Sequence, residues 1–353
     1  MSSEAGFLKI VADIFGDDSR GRDIKGPLRL VEGVTALDDC AVIAIPGGHL
    51  VVGSDFIRGA EFYLFQLRIL SYRDLGYFLV AANASDVAAM GAELRFVTTN
   101  IRFPDDLSDA DFVEICLGIR EAADEFSGSV VGGDIGGFSR LVLSGTAVGF
   151  TASQPLLRRN GLPGDQLFYV GDAGLAGAAV LYFRNKDRLG SLPSSMEMAL
   201  AESWRRPRPQ LEVGKGLAAS GWRIAAQDNS DGIKATVSQI CAMSGVGAVV
   251  DASLFEPHPV VARVADLAGI PPYALALSGS ADFGLVFTLP PDASVSELLP
   301  DAENVQRLGS IHPQEDGVRF RSAAGVMEAR LPGVVWDHQT KPIDEELQLG
   351  RGT

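Results

Sequence analysis

The sequence lacks the markers of several common kinds of protein. Cysteine occurs three times, at Cys40, Cys116 and Cys241, with no C-x-x-C spacing. Thiols so few and so far apart exclude a disulfide framework and point to a reduced, cytoplasmic protein. Histidine is scarce too, at His49, His258, His312 and His338, and no pair has the spacing of a zinc-ligand motif. Basic residues are in the minority: 30 Lys and Arg stand against 45 Asp and Glu, a net charge of −15. Such a chain repels nucleic acid and anionic lipid, so neither is expected as a partner. No apolar run reaches the roughly 18 residues a membrane helix needs. The nearest, Gly76–Ala92, is interrupted by Asn83, Ser85 and Asp86. Met1 to Asp18 has no basic segment leading into an apolar core, so no secretory leader is expected. The P-loop pattern G-x-x-x-x-G-K-[ST] and the nucleophile-elbow pattern G-x-S-x-G are both missing. P-loop nucleotide binding is thereby excluded and acyl-transfer hydrolysis disfavoured.

What is plentiful is glycine, with 40 among 353 residues, above the usual share of about 7%. The glycines sit in short turns and follow no collagen-like repeat. At roughly 150 residues per domain the length predicts two domains. Turn chemistry from Gln154-Pro155 to Pro163-Gly164-Asp165 places the boundary. We therefore expect domains at 1–152 and 153–353. Residues 5–15 read as an amphipathic helix and 16–33 as a loop. Cys40–Ile45 and His49–Gly53 read as a hairpin about Pro46-Gly47-Gly48. Helices are expected at Asp74–Met90, Leu107–Glu125, Lys215–Ser220 and Ile233–Met243, and strands at Arg95–Ile101, Gln166–Val170, Ile224–Gln227 and Leu285–Thr288. Ser129–Val131 and Leu141–Val148 read as strands bracketing a loop, Gly132–Gly137, and 185–200 as an irregular insertion. Helices and strands mix without a strict βαβ period, so the fold class is two α+β domains.

Aspartates recur where strands end or helices begin: Asp38, Asp39, Asp55, Asp86, Asp134, Asp228, Asp231 and Asp282. Any one of them could be a turn former or a cap. Several meeting in one cleft would repel unless cations neutralised them. Hard oxygen ligands select Mg²⁺ or Ca²⁺, and Mg²⁺ held by few carboxylates commonly brings phosphates with it. Gly132-Gly133-Asp134 could let backbone N–H groups approach an anion. In Asp228-Asn229-Ser230-Asp231-Gly232, Ser230 or Asp231 is a natural helix cap, or the free helix N–H groups meet a phosphate.

Taken in order, these segments resemble a known family. Asp38-Asp39-Cys40-Ala41-Val42-Ile43 is similar to its G-D-D-A-A-V-L, and Ser54-Asp55 to its T-T-D. Asn83-Ala84-Ser85-Asp86-Val87-Ala88-Ala89-Met90-Gly91-Ala92 is close to N-L-S-D-I-A-A-M-G-A. Gly132-Gly133-Asp134 matches G-G-D, Arg159-Asn160-Gly161 resembles R-S-G, and Asp228 to Gly232 resembles D-I-S-D-G. Pro207-Arg208-Pro209 matches P-x-P, and Trp336-Asp337-His338 resembles a C-terminal W-D-H-F. The family is the thiamine-monophosphate kinases. It lies within the superfamily that holds aminoimidazole ribonucleotide synthetase, selenophosphate synthetase and hydrogenase maturation protein E.

The resemblance implies two α+β domains: an N-terminal one for ATP, metal and dimerisation, and a C-terminal α/β sandwich completing the nucleotide and acceptor site. Two N-terminal domains would pair into a dimeric β-barrel, making the protein a homodimer. It implies Mg²⁺ on Asp39, Ser54, Asp55, Asp86, Asp134, Asp228 and Asp231, with Asp134 and Asp231 as the catalytic pair. ATP would contact Gly132, Gly133, Asp134, Arg159 and Ser230. A small-molecule acceptor would meet Arg58, Glu61, Phe78, Ala281 and Trp336. At these acceptor positions the chain departs from the family, with Glu61 for a histidine, Phe78 for a lysine and Ala281 for a glutamate. The expectation is an ATP- and Mg²⁺-dependent phosphotransferase whose acceptor differs from thiamine monophosphate. The alternatives are an ATP-dependent ligase or cyclase and a non-catalytic ATP-binding partner subunit.

Overall fold

The structure is a computed structural model describing residues 10–11, 13–15, 23–24, 27–57, 59–279 and 281–334. The helix expected at 5–15 falls largely outside these residues, as do Arg58, Trp336 and His338. The described residues form two seven-stranded sheets. The first holds β1 (Asp23–Ile24), β2 (Leu28–Glu32), β3 (Ala41–Ile45), β4 (Gly48–Ile57), β5 (Glu93–Phe103), β6 (Ser129–Gly137) and β7 (Val142–Thr151). Its spatial order is β1-β2-β3-β4-β7-β5-β6, open at both ends among the described residues. The second holds β8 (Gln166–Val170), β9 (Ala226–Asp228), β10 (Val246–Asp251), β11 (Leu285–Leu289), β12 (Val305–Pro313), β13 (Val318–Arg321) and β14 (Met327–Glu328). Its order is β14-β13-β10-β12-β8-β11-β9.

The two sheets show two burial patterns. Along β7 buried and half-buried residues alternate, so one face is covered and the other is not. In β8, by contrast, Leu167 and Tyr169 enter one apolar cluster while Phe168 and Val170 enter another. The middle of the second sheet is covered on both faces, and every residue of β11, Thr288 included, is buried.

The two halves share a core through the helix Tyr72–Ala89. Fifteen of its eighteen residues are buried, all around its circumference. Ser71 starts it with a capping box: its side chain accepts from the Asp74 N–H, and Asp74 accepts from the Ser71 N–H at 2.8 Å. The helix Asp109–Glu125 packs on it at backbone distance. A Cβ on Gly76 would stand 2.1 Å from the Ile115 carbonyl oxygen, and one on Gly118 would stand 1.9 Å from that of Arg73. On its other sides lie β4, β7 and the helix Leu211–Ala219.

Three expectations need correction. Gly132–Gly137 is no loop but the second half of β6, paired in parallel with β5 from Thr98 to Phe103 after a register shift. Glycine lowers strand propensity, and the β5 ladder overrides it. Residues 185–200 are not irregular: the helices Lys186–Leu189 and Ser194–Arg205 occupy this region. Trp204 and Leu200 anchor the second of them in the core. The segment 16–33 contains β1 and β2, and Glu32 in β2 is buried.

The glycine contact gives a direct test. Gly118→Ala puts a methyl group where backbone already stands. We expect a loss of about 2–3 kcal/mol, in the range of core overpacking, read as a lower urea midpoint at unchanged slope.

Candidate metal and phosphate site

The aspartate pattern converges where the two halves meet. Asp39 follows the turn before β3, Asp86 lies in the last turns of Tyr72–Ala89, and Asp228 ends β9. One carboxylate oxygen from each lies within 4.8 Å of the others. Asp55 in β4 and Asp231 before the helix Ile233–Ser244 lie near enough for their charges to raise the proton affinity of Asp86 and Asp228 respectively. The segment Asn83-Ala84-Ser85-Asp86 explains the convergence. Asn83 accepts from the Asp55 N–H at 3.3 Å, and Ser85 donates to Asp228 Oδ2 at 2.7 Å. Asp86 presents its own carboxylate. One helical turn thus holds a strand from each sheet. Gly232 is required at the Asp228–Gly232 turn: its φ is 95°, and a Cβ there would meet Gly279 at 2.5 Å.

The electrostatics are those of an anionic pocket. Burial, then Asp228 and Asp39, push the Asp86 carboxyl well above the ordinary range. Burial, then Asp39, do the same to Asp228. Asp38 is pushed up to about 6, chiefly by burial and against a hydrogen bond from the Arg158 N–H. Beside them Cys40 is buried, and its thiol is pushed up by burial and by Asp86 and Asp39. Arg158, rather than the expected Arg159, faces the cluster and donates to Asp39 Oδ1 from a side chain only 15% exposed. The other oxygen, Asp39 Oδ2, is buried and has no hydrogen-bond partner. Three converging carboxylates and one orphaned oxygen suit a hard divalent cation.

Other expected residues stand elsewhere. Ser54 faces away from Asp55, as strand neighbours must, and shares a hydrogen bond of 2.7 Å with Thr146. Asp134 lies on exposed β6, three strands across from β4, where Arg102 donates to it at 2.6 Å and lowers its pKa. Neither joins the cluster within one chain. Gly132 and Gly133 lie beside Asp134 in the strand rather than in a cradle. Arg159 is paired with the buried Glu32. Ser230 donates to Asp228 Oδ1 at 3.4 Å. Of the acceptor residues, Glu61 receives a hydrogen bond from Arg140 at 2.6 Å. Phe78 is buried, stacked on Trp204 at 5.3 Å and tilted against Phe283. Ala281 packs against the same core. Asp282 serves the helix Leu175–Arg184, accepting from the N–H groups of Gly174 and Ala176 at 2.7 and 2.8 Å. No described histidine reaches the cluster: His49 contacts the Ser153 carbonyl, His258 caps a helix and His312 contacts Ser310.

These shifts set a pH dependence. Unfolded, Asp38 ionises near the model-peptide value of 3.8; folded, it ionises near 6. Between those values the unfolded chain has lost a proton that the folded chain retains. Stability therefore falls as pH rises through this window, and Asp86 and Asp228 extend the fall upward. In EDTA the melting temperature should drop from pH 4 to pH 7, and Mg²⁺ should remove much of the drop. Asp38→Asn should stabilise the cation-free protein at pH 7 by on the order of 1–2 kcal/mol. A melting temperature that rises with pH in EDTA would contradict this.

Comparison with known proteins places the chain in a family. Residues 37–151 match the family of AIR synthase related proteins, N-terminal domain, and residues 163–321 match its C-terminal domain. A thiamine-monophosphate kinase of Methanopyrus kandleri is 36% identical over 255 residues, covering 72% of this chain and 77% of that protein. One of Synechococcus elongatus is 32% identical, covering 78% and 83%. A solved structure of AaThiL complexed with AMPPCP and TMP superposes with a TM-score of 0.77 at 22% identity, covering 95% of this chain and 97% of that one. At that identity the superposition speaks for the fold. The chain belongs to the AIR synthase related family, among its thiamine-monophosphate-kinase-like members.

Proposed function

We propose that the protein is an ATP- and Mg²⁺-dependent kinase that phosphorylates a small phosphate-bearing acceptor. The observation that carries this reading is the convergence of Asp39, Asp86 and Asp228 within 4.8 Å. The names of the relatives and the AMPPCP bound by a structural neighbour support it. Asp39, Asp86 and Asp228 would hold the cation, with Asp55 and Asp231 beside them. Bound there, Mg²⁺ supplies charge neutralisation for transferring phosphates. Phosphoryl transfer is largely positioning and charge compensation. A phosphate monoester has its second pKa near 6 and is already an ionised nucleophile at pH 7. It needs no general base, which fits a cluster built of carboxylates.

Thiamine monophosphate is the first acceptor to test. The expectation of a different acceptor rested on Glu61 in place of a histidine and Ala281 in place of a glutamate. The Glu61 charge is paired with Arg140, Ala281 packs against the core, and Phe78 is buried in it.

We also assign residues 1–152 and 153–353 to two domains, and the protein to a homodimer through the first sheet. The uncovered face of that sheet exposes Phe56 and Phe96, and β6 and the turn after it expose Val131, Ile135 and Phe138. A partner on this face would cover the open edge and bring its surroundings to Ser54 and Asp134. A stable contact of this kind buries about 2,000 Å² or more.

Calorimetry with a non-hydrolysable ATP analogue should show binding in Mg²⁺ and little in EDTA. Asp228→Ala should weaken it at least about tenfold, as one lost ligand leaves phosphate charge uncompensated. Equal binding in EDTA would overturn the reading. A coupled ADP-release assay with thiamine monophosphate should show thiamine diphosphate as product; no turnover would exclude this acceptor. Light scattering should give twice the chain mass of 37.3 kDa.

A further inference from the structure

The cluster already contains a cation of its own. Arg158 opens the short turn Arg158–Asn160 on the C-terminal side and reaches across to the loop before β3. Its Nη2 donates to Asp39 Oδ1, its Nη1 donates to the Leu37 carbonyl at 2.7 Å, and its backbone N–H donates to Asp38 Oδ1 at 2.9 Å. Leu37 is held at φ 51°, a strained conformation for leucine, in the loop so gripped. The Asp39 side chain is only 2% exposed. The guanidinium occupies one of its oxygens, and the other, Oδ2, has no hydrogen-bond partner. Arg158 Nε has none either. The charge of Arg158 also acts on Asp86 and Asp228, so it reaches all three carboxylates.

We propose that Arg158 is an internal counter-ion of the carboxylate cluster, which stabilises the cation-free fold and thereby weakens the cluster's affinity for Mg²⁺. This rests on the metal reading above and adds to it a residue that tunes the site. The argument is one of linkage. A group that lowers the free energy of the empty site more than that of the filled one raises the dissociation constant by the same factor. A fixed positive charge beside Asp39 does this. It compensates carboxylate repulsion when no cation is present and repels a divalent cation when one arrives. A residue that merely kept Asp39 in place would act in the opposite direction, since its removal would loosen a ligand and weaken binding.

The test uses the whole 353-residue chain and Mg²⁺ alone, followed by calorimetry and by thermal melting in EDTA and in Mg²⁺. Arg158→Met should bind Mg²⁺ roughly tenfold more tightly than wild type, by the removal of one nearby charge. It should also melt lower than wild type in EDTA, with the gap narrowing in Mg²⁺. Arg158→Lys keeps the charge and should bind within about twofold of wild type. Where Arg158→Met does not fold without cation, Arg158→Gln purified in Mg²⁺ serves, since it keeps a hydrogen bond to Asp39 and drops the charge. Neutral variants that bind Mg²⁺ no more tightly than wild type would overturn the inference and leave the metal reading standing. A wild-type protein that binds no Mg²⁺ would overturn both.

Discussion

A helix buried on every side is the constraint from which the rest of the architecture follows. Tyr72–Ala89 has no solvent face to orient it, so its neighbours define its place. Gly76 lets Asp109–Glu125 lie against it at backbone distance, and Gly214 does the same for Leu211–Ala219 at Ala88. Burial on this scale leaves little room for polar groups. Those in its last turns, Asn83, Ser85 and Asp86, are each committed to a strand or to the cluster. A polar turn inside an apolar helix is costly unless every group is satisfied. Here Asn83 donates to the Leu79 carbonyl as well as accepting from Asp55.

The cluster at the end of that helix is an arrangement that folding alone does not favour. Packing Asp39, Asp86 and Asp228 together removes water from three like charges. The cost is met in part by retained protons, in part by Ser85 and Arg158. The arrangement is therefore better suited to a bound cation than to its absence, and its geometry follows from a loop, a helix and a strand end packed together. Function and stability pull in different directions at this point of the molecule.

Much of this was legible in the sequence, for a physical reason in each case. The Asn83–Ala92 block carries its meaning locally, because one turn of helix fixes the relative directions of Asn83, Ser85 and Asp86. The hairpin about Pro46-Gly47-Gly48 and the strand Gln166–Val170 likewise follow from local patterning. What was not legible depends on distant partners. Nothing in the chain separates Arg158 from Arg159; only the packing of Arg158–Asn160 against Asp38 and Asp39 shows which guanidinium faces the cluster and which faces Glu32. Gly132–Gly137 looks like a loop until β5 offers it a ladder. Phe78 reads as a changed pocket residue until Trp204, on the helix Ser194–Arg205, is stacked upon it.

The hydrogen bond from Ser85 to Asp228 spans 143 residues of chain, and that from Arg158 to Asp39 spans 119. Contacts of such separation form only after the intervening chain has been drawn together, and the entropy of closing those loops is met before the contact repays it. The site accordingly depends on contacts of long sequence separation. A ribosome-bound chain that has emerged only as far as β7 carries Asp39 and Asp86 but neither Asp228 nor Arg158, so it presents carboxylates without their counter-ion or their third member. On the metal reading proposed above, affinity for a cation would arise with the joining of the two halves, and a loaded site would report a finished molecule.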